Sequence, residues 1–224
     1  MIRAVSGRYL GESGRAYFKW QGQGGSLNGE IEAHKFAHYI KPEDVVLDFG
    51  CGGGFTLAAL DCARRIGVEP NPHARGVAVG NGVELYSSLA EVPDGVADVG
   101  ISNHALEHVS YPIEALREIK VKVRRGGTVV ICLPMEDWRA RRSYDPADIN
   151  HHLHAWNPQL LGNTLMEAGF EVSPASISIL THCWPPKRLH GYFYRHLPLF
   201  AFDALCNLCA RVLRRRQIVA VVFT

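Results

Sequence analysis

The sequence predicts an α/β fold in which helices cover both faces of a mainly parallel sheet. Short apolar runs typical of buried strands alternate along the chain with segments whose apolar residues recur at helical spacing. The first of these runs opens directly into a glycine-rich turn, Asp48 to Gly54, as the first strand of such sheets commonly does. The composition, with 47% hydrophobic and 21% charged residues, is that of an ordinary globular domain.

The chain length of 224 residues suits a single well-buried domain. No run of about 18 consecutive apolar residues is present, so no membrane-spanning helix is expected. Met1 to Gly11 lack the apolar core of a signal peptide. We therefore expect a cytoplasmic protein whose six cysteines are reduced thiols.

The N-terminal part divides into an irregular segment and a helix. Residues 1–28 are rich in Gly, Ser and aromatic residues and are predicted to be mostly irregular, with Tyr17 to Trp20 as a candidate flap over a bound ligand. Apolar residues at helical spacing predict a helix over Gly29 to Ile40, which Pro42 follows. Val45 to Gly50 then reads as a buried parallel strand.

The remaining elements continue the alternation of strands and helices. They are a helix over Thr56–Arg65, strands over Arg64–Glu69, Val83–Tyr86 and Ala97–Ser102, a helix over Tyr111–Val123, a strand over Thr128–Leu133, a helix from Asn157 to Gly169, and strand-like segments over Phe170–Leu180 and Gln217–Phe223. We divide the single domain 1–224 into an N-terminal flap and helix (1–40), a cofactor-binding core (41–180), an insertion or lid (181–216) and a final strand (217–224).

The glycine-rich turn indicates a nucleotide-like ligand, and its spacing narrows the choice. Dinucleotide-binding turns need glycines at positions one, three and six, but here they fall at Gly50, Gly52 and Gly54 and the sixth position is Phe55. Asp48 precedes the first glycine and would repel a pyrophosphate, whereas it would attract a cationic amino-acid group. The turn therefore favours a ligand other than a dinucleotide.

Glu69 ends the second predicted strand, about 20 residues after the turn, where an acid commonly reaches ribose hydroxyls. A surface acid that caps the following helix is the alternative interpretation. Together with the glycine turn, the position favours the ribose role for Glu69.

Five segments together resemble the class I S-adenosylmethionine-dependent methyltransferases, in particular the small-molecule subgroup of the type 11/12-like domains. The resemblance covers about residues 28–180 and is specific in combination. It is carried by Val45–Gly54, Gly67–Pro70, Asp98–Val109, Ala115–Ile131 and the pair His152–His154 with Glu167–Phe170.

The resemblance implies a Rossmann-like sheet of seven strands whose last strand is antiparallel, and S-adenosyl-L-methionine as cofactor. One departure is visible, because the acid that often reads adenine after the third strand has no clear counterpart near Ser87. The cofactor-binding residues that we predict are Asp48, Gly50, Gly52, Gly54, Glu69, Pro70, Ser88, Leu89, Asn103 and His104.

Methyl transfer from a sulfonium is an in-line displacement that requires a base only when the acceptor is poorly acidic. Neutral imidazole suits this role near pH 7, and the candidate bases are His104, His108 and His154. His151, His152 and His154 also resemble a metal cluster, but no carboxylate or thiol at a matching spacing completes it. We therefore predict no metal.

The predicted acceptor is a small molecule, and at subgroup level a hydroxyl or carboxyl of a sugar or another metabolite. Residues 134–158 contain Trp138, Arg139, Arg141, Arg142, Tyr144 and Trp156, which suit a sugar or an anionic group or simply a polar surface loop. An NAD-binding oxidoreductase and a catalytically silent cofactor-binding module are the rival interpretations. Nucleic acid ranks low, because no Asn/Asp-Pro-Pro-aromatic motif follows the fourth strand.

The C-terminal segment is basic, with seven Lys or Arg residues and one acid from Thr181 onward. Leu199 to Leu213 place apolar residues on one helical stripe. Such a helix suits packing on the sheet or a lid, a homodimer surface, or a peripheral contact with a membrane or another anionic partner. Packing or a lid is favoured, because the segment connects two core strands.

Overall fold

The computed structural model describes residues 9–135, 143–180, 189–213 and 215–224. The predicted contacts of Trp138, Arg139, Arg141 and Arg142 therefore lie outside the described residues.

The strands form one seven-stranded sheet in the order β3-β2-β1-β4-β5-β7-β6. Only β7 runs antiparallel to its two neighbours, which confirms the predicted mostly parallel sheet with an antiparallel last strand. The strand order reverses between β1 and β4, and ligands of such sheets bind beyond the carboxyl ends of the strands at this point. The strands are β1 Val45–Phe49, β2 Arg64–Val68, β3 Glu84–Tyr86, β4 Ala97–Asn103, β5 Val123–Met135, β6 Ile177–Leu180 and β7 Arg216–Phe223.

Helices cover both faces of the sheet, as the alternating burial of the strands requires. Leu47 and Ile131 belong to a core cluster that includes Leu116 and Leu161 of two helices, whereas Val46 points to the opposite cluster. Both faces of the central strands are buried, which is typical of parallel sheets. The helices are α1 Gly11–Gln21, α2 Gly25–Ala33, α3 Phe55–Ala58, α4 Pro72–Gly80, α5 Pro112–Lys122, α6 Pro158–Glu167, α7 His190–His196 and α8 Leu199–Leu213.

The N-terminal segment differs most from its prediction. Residues 1–28 were expected to be mostly irregular, but α1 and the first part of α2 occupy most of the described portion. Their glycines allow close packing: a Cβ at Gly29 would lie 2.3 Å from the carbonyl oxygen of Phe55 at the start of α3. The prediction was wrong because it took glycines that permit backbone contact as signals of loop.

Several predicted elements end earlier than their patterns suggested. The helix predicted from Gly29 to Ile40 stops at Ala33, and α3 stops at Ala58 instead of Arg65. Arg65 explains part of this ending, because its guanidinium donates to the carbonyl oxygens of Leu57 and Leu60 at 2.9 and 2.8 Å and so satisfies the groups that a longer helix would use.

The described part of the 181–216 insertion packs on the N-terminal helices. Phe202 and Cys206 of α8 are buried against Ile31 of α2, as expected for a packed helix or lid. The predicted stripe extends too far, because Val212 and Leu213 at the end of α8 are exposed. No described helix has the length and apolar character needed to cross a membrane.

Candidate active site

A cavity of about 640 Å³ lies beyond the carboxyl ends of β1 and β4. Its lining includes the glycine-rich turn, residues of α1 and α2, and the turn that follows β4. His152 and the first residues of β7 complete the lining. The cavity thus occupies the place that the strand order predicts for a ligand.

The glycine turn has the backbone that its sequence predicts. Gly50, Gly52 and Gly54 have φ angles of 82°, 55° and 71°, in the left-handed region that favours glycine. A Cβ at Gly50 would lie 2.4 Å from the Cβ of Ala105, so the turn touches the chain that follows β4. Gly50 and Gly52 line the cavity, whereas Gly54 packs against Val83 away from it.

Glu69 stabilises the glycine turn through its buried carboxylate. Its carboxylate accepts hydrogen bonds from the backbone N–H groups of Gly52 and Asn71, at 2.9 and 2.7 Å. Burial raises the pKa of Glu69, although these two hydrogen bonds act against the rise. Neither Glu69 nor Pro70 lines the cavity, and the two hydrogen bonds of Glu69 tie the glycine turn to the residues that follow β2. The sequence did not predict this role.

Asp48 presents an unsatisfied acceptor to the cavity. The side chain is buried, and its Oδ1 has no hydrogen-bond partner among the described residues. Burial, and secondarily the charge of Glu69, raise the pKa of Asp48 to about 7. An orphaned carboxylate oxygen at this position fits a cationic ligand group, which would supply both charge and hydrogen bonds.

A polar network joins α2, β4 and β7 at the rim of the cavity. Asn103 donates from Nδ2 to Glu32 at 2.7 Å, and Glu32 forms an ion pair with Lys35. Lys35 in turn donates to the side-chain oxygen of Gln217 at 2.7 Å. The Oδ1 of Asn103 has no partner among the described residues and is available to a ligand donor.

His104 carries a positive charge in this environment. Its backbone is left-handed, with φ 53°, and its Nδ1 lies 3.5 Å from Oε1 of Glu107. Burial lowers the pKa of His104, but Cys132 and Glu107 outweigh it and raise the pKa to about 10. A protonated imidazole stabilises negative charge and cannot accept a proton, so His104 is unsuited to act as the base.

Glu107 is fully buried beside two imidazoles. Neither of its carboxylate oxygens has a hydrogen-bond partner among the described residues, and Oε1 lies 4.0 Å from Nε2 of His108. Burial raises the pKa of Glu107, but His104, His108 and His152 outweigh it, and the pKa lies below its ordinary value. The carboxylate is therefore ionised at neutral pH.

His108 is oriented by two tyrosines. The Tyr9 hydroxyl lies 2.6 Å from Nδ1 of His108 and donates its proton to the carbonyl oxygen of Asn150, also at 2.6 Å. Because a hydroxyl has one proton, Tyr9 must accept from Nδ1, which leaves the lone pair of neutral His108 on Nε2. Tyr17 of α1 lies 3.4 Å from that Nε2.

His152 approaches the same place from the loop before α6. Its ring centroid lies 4.7 Å from that of His108, and one ligand atom each from Glu107, His108 and His152 lie within 4.8 Å of one another. We call these three residues the Glu107 cluster. All three line the cavity.

Besides Gly54, Glu69 and Pro70, three further predicted site residues do not line the cavity. His154 donates from Nε2 to the carbonyl oxygen of Val109 at 2.9 Å and does not line the cavity. The hydroxyl of Ser88 donates to Glu91 at 3.4 Å, and Leu89 is buried in the core. The structure therefore brings together Asp48, Gly50, Gly52, Asn103, His104 and His108, but not His154, Ser88 or Leu89.

Several residues in or beside the cavity were not predicted as site residues, among them Glu32, Gln217 and His152 in its lining and Tyr9 beside it. Tyr9 and Glu32 gave no signal in the sequence, and Gln217 was predicted only as part of the last strand. His152 was noticed as part of a histidine run, but the sequence could not show that Glu107 lies beside it.

Comparison with known proteins identifies a family. A family model described as a methyltransferase domain matches residues 31–174. The ubiquinone biosynthesis O-methyltransferase of Aeromonas salmonicida (strain A449) is 39% identical over 101 residues, which cover 38% of this chain and 41% of that relative. The match therefore spans about two fifths of the relative's length.

Solved structures share the fold at low identity. An S-adenosylmethionine-dependent methyltransferase from Archaeoglobus fulgidus superposes with a TM-score of 0.61 at 18% identity, covering 93% of this chain and 99% of that one. Phosphoethanolamine N-methyltransferase 2 of Haemonchus contortus, solved with S-adenosyl-L-methionine, gives a TM-score of 0.62 at 14% identity and covers 97% of this chain and 58% of that one. These likenesses establish the common fold.

Proposed function

This chain belongs to the methyltransferase domain family and is an S-adenosylmethionine-dependent enzyme acting on small molecules, and on that basis we propose that it methylates a hydroxyl oxygen, as in a sugar or a related metabolite. The observation that supports oxygen as the methylated atom is the Glu107 cluster, which lies in the same cavity as the glycine turn. The family match decides against an NAD-binding oxidoreductase and a catalytically silent module, which the sequence left open.

The residues at the glycine turn fit the cofactor. Gly50 and Gly52 allow its backbone to approach closely, and the orphaned Oδ1 of Asp48 suits the ammonium group of the methionyl part. Glu69 is buried and does not line the cavity, so its predicted ribose contact stays a prediction, as do the adenine contacts of Ser88 and Leu89. S-Adenosylmethionine supplies a methyl carbon that its sulfonium already activates.

The enzyme's own contribution is alignment and proton removal. Holding acceptor and methyl donor in line can contribute about 7–11 kcal/mol to the lowering of the barrier. A hydroxyl acceptor must also lose its proton, and the Glu107 cluster can take up or displace that proton. Of the three predicted bases, His108 lies in this cluster, protonated His104 stabilises nearby negative charge, and His154 does not line the cavity.

The test is product analysis with isotope-labelled S-adenosylmethionine. The enzyme would be offered a panel of sugars, phenols, carboxylic acids and amines, and labelled products would be identified by mass spectrometry and NMR. We expect methyl ethers from hydroxyl compounds. Products labelled only on nitrogen or carboxylate oxygen would overturn the proposal.

The exposed side of α8 is the surface through which we predict contacts with partners. Phe200, Leu208 and Val212 are 77%, 59% and 73% exposed, and Arg211 accompanies them. A homodimer or a peripheral contact with an anionic membrane through this helix stays a prediction, as does a cytoplasmic location. Nucleic acid remains an unfavoured partner.

A further inference from the structure

We propose that Glu107, His108 and His152 bind a divalent transition-metal ion of the zinc class, which holds the acceptor hydroxyl and lowers its pKa. The proposal deepens the methyl transfer proposed above and rests on it for its chemical purpose. Two imidazoles and one carboxylate form a common ligand set of catalytic zinc sites, in which a fourth position stays open for water or substrate.

The distances suit a shared ion after small side-chain adjustments. One ligand atom from each residue lies within 4.8 Å of the other two, and Oε1 of Glu107 is 4.0 Å from Nε2 of His108. Zinc bonds of about 2.0–2.1 Å place tetrahedral ligands about 3.4 Å apart. The three ligand atoms would therefore have to move closer together when the ion binds.

The buried carboxylate indicates that a ligand is required here. Glu107 is fully buried, and neither of its carboxylate oxygens has a hydrogen-bond partner among the described residues, an arrangement that costs free energy unless a ligand compensates. His104 Nδ1 lies 3.5 Å from Oε1, whereas Oε2 has no hydrogen-bond partner among the described residues. A metal ion between Glu107 and the two histidines would satisfy the carboxylate directly.

The partners of His108 prepare its Nε2 for a metal. Metal-bound histidines usually donate their other ring nitrogen to an oxygen acceptor that fixes the tautomer and the ring orientation. Here Nδ1 donates to the Tyr9 hydroxyl, which the Asn150 carbonyl holds in turn. Tyr17, 3.4 Å from Nε2, must turn aside or meet the bound acceptor.

From the sequence alone no metal is predicted, because the histidine run lacks a carboxylate at a suitable spacing. The fold supplies it from a distant segment: Leu153 and His154 donate backbone hydrogen bonds to the Glu107 carbonyl at 2.8 and 3.3 Å. These bonds fix the loop that carries His152 against the turn after β4. The ligand set thus depends on a contact that no sequence spacing reveals.

The chemistry balances without redox change. The acceptor hydroxyl binds at the open position, and the ion lowers its pKa so that the proton passes to water in the cavity. The resulting oxyanion forms a bond to the methyl carbon while the carbon–sulfur bond breaks, and S-adenosylhomocysteine leaves with the electron pair. Imidazole ligands favour zinc-class ions over Mg²⁺, which prefers oxygen ligands.

The experiment is calorimetric titration of chelator-treated enzyme with Zn²⁺, and separately with Mg²⁺. We expect one Zn²⁺ per chain, Mg²⁺ binding at least about 100-fold weaker, and a similar loss of Zn²⁺ affinity in His152→Ala and Glu107→Gln. Co²⁺ in place of Zn²⁺ should give the visible absorption of a four-coordinate site, absent in both variants. His73→Ala, an exposed histidine on α4, is the matched control and should bind as wild type.

Binding of S-adenosylhomocysteine is measured in every variant to show that it is folded. If Glu107→Gln does not fold, the conclusion depends on His152→Ala. Absence of Zn²⁺ binding to the wild type, or unchanged binding in His152→Ala, would overturn the metal site. If metal-free enzyme still methylates hydroxyl groups, the proposed metal role is overturned and the proposed function stands. If Zn²⁺ binds at this site but all products are methylated on nitrogen, the metal site stands and the proposed function is overturned.

Discussion

The two sides of the cavity are built in different ways. The proposed donor side comes from one short stretch, Asp48 to Gly54, supported by Glu69, which follows β2. The acceptor side is gathered from distant segments, with Tyr17 from α1, His108 after β4 and His152 before α6. A cofactor common to a family can be held by a local motif, whereas the acceptor is held by contacts that exist only in the folded chain.

The largest effect is expected from Gly50→Ala, which should disrupt cofactor binding at the glycine turn. A non-glycine residue in the left-handed region costs about 1–2 kcal/mol, and the new Cβ would lie 2.4 Å from Ala105. We expect affinity for S-adenosylhomocysteine to fall about 100-fold or more in calorimetry. Gly76→Ala, where no atom lies within 4 Å of the added Cβ, is the control and should bind normally. Normal binding by Gly50→Ala would contradict the tight approach of the turn to Ala105.

His108→Gln should break the acceptor side alone. Loss of proton removal or of acceptor positioning typically costs about 10²–10⁴ in rate, and we expect at least the lower figure. Affinity for S-adenosylhomocysteine should stay within about twofold of wild type, because Tyr9, Tyr17 and Glu107, with which His108 interacts, lie outside the glycine turn. Steady-state kinetics with the identified acceptor and calorimetry separate these two quantities. Equal losses in both would mean that the two sides are not independent.

Asp48 offers a test of the donor side through pH. Its folded-state pKa of about 7 lies above the ordinary 3.8, so between these values the folded chain holds a proton that the unfolded chain has released. The contribution of this carboxyl to the free energy of unfolding therefore falls as pH rises from about 4 to about 7, and is constant above that range.

The Asp48→Asn variant lacks this decline in stability. The Tm difference, variant minus wild type, measured without cofactor, should therefore be more positive at pH 8 than at pH 5. Binding of S-adenosylhomocysteine to wild type at pH 6 should release protons, which calorimetry in buffers of different ionisation enthalpy detects. Identical Tm differences at the two pH values would show that Asp48 has an ordinary pKa.

The smallest effect is expected from Tyr17→Phe on the acceptor side. The variant loses one long hydrogen bond, at 3.4 Å from His108, and hydrogen bonds contribute about 0.5–1.5 kcal/mol. Turnover should fall about two- to fivefold, with unchanged affinity for S-adenosylhomocysteine. Tyr144→Phe removes the hydroxyl of a tyrosine that is 90% exposed and serves as the matched control. A loss of 100-fold in Tyr17→Phe would instead give this hydroxyl a direct part in proton transfer.

The same contrast explains what could be predicted from the sequence. The left-handed angles of Gly50 and Gly52 follow from local turn chemistry, and the strand Val45 to Phe49 follows from a short apolar run. The meeting of Glu107 with His152 depends on how a loop folds back over the turn after β4, which no local pattern encodes. The helices of the N-terminal segment were missed for a similar reason, since tertiary contact outweighs the low helix propensity of glycine there.

The position of β7 has a consequence for how the protein is made. Among the described strands, β6 pairs with β7 alone, and β7 also covers one side of β5. During synthesis, β1 to β5 can pair as they emerge, but β6 has no place in the sheet until Arg216 to Phe223 have left the ribosome. Until then the edge of β5 is an open template for unwanted pairing. Because Gln217 at the start of β7 also bonds Lys35, the rim of the cavity is finished by the last strand to arrive.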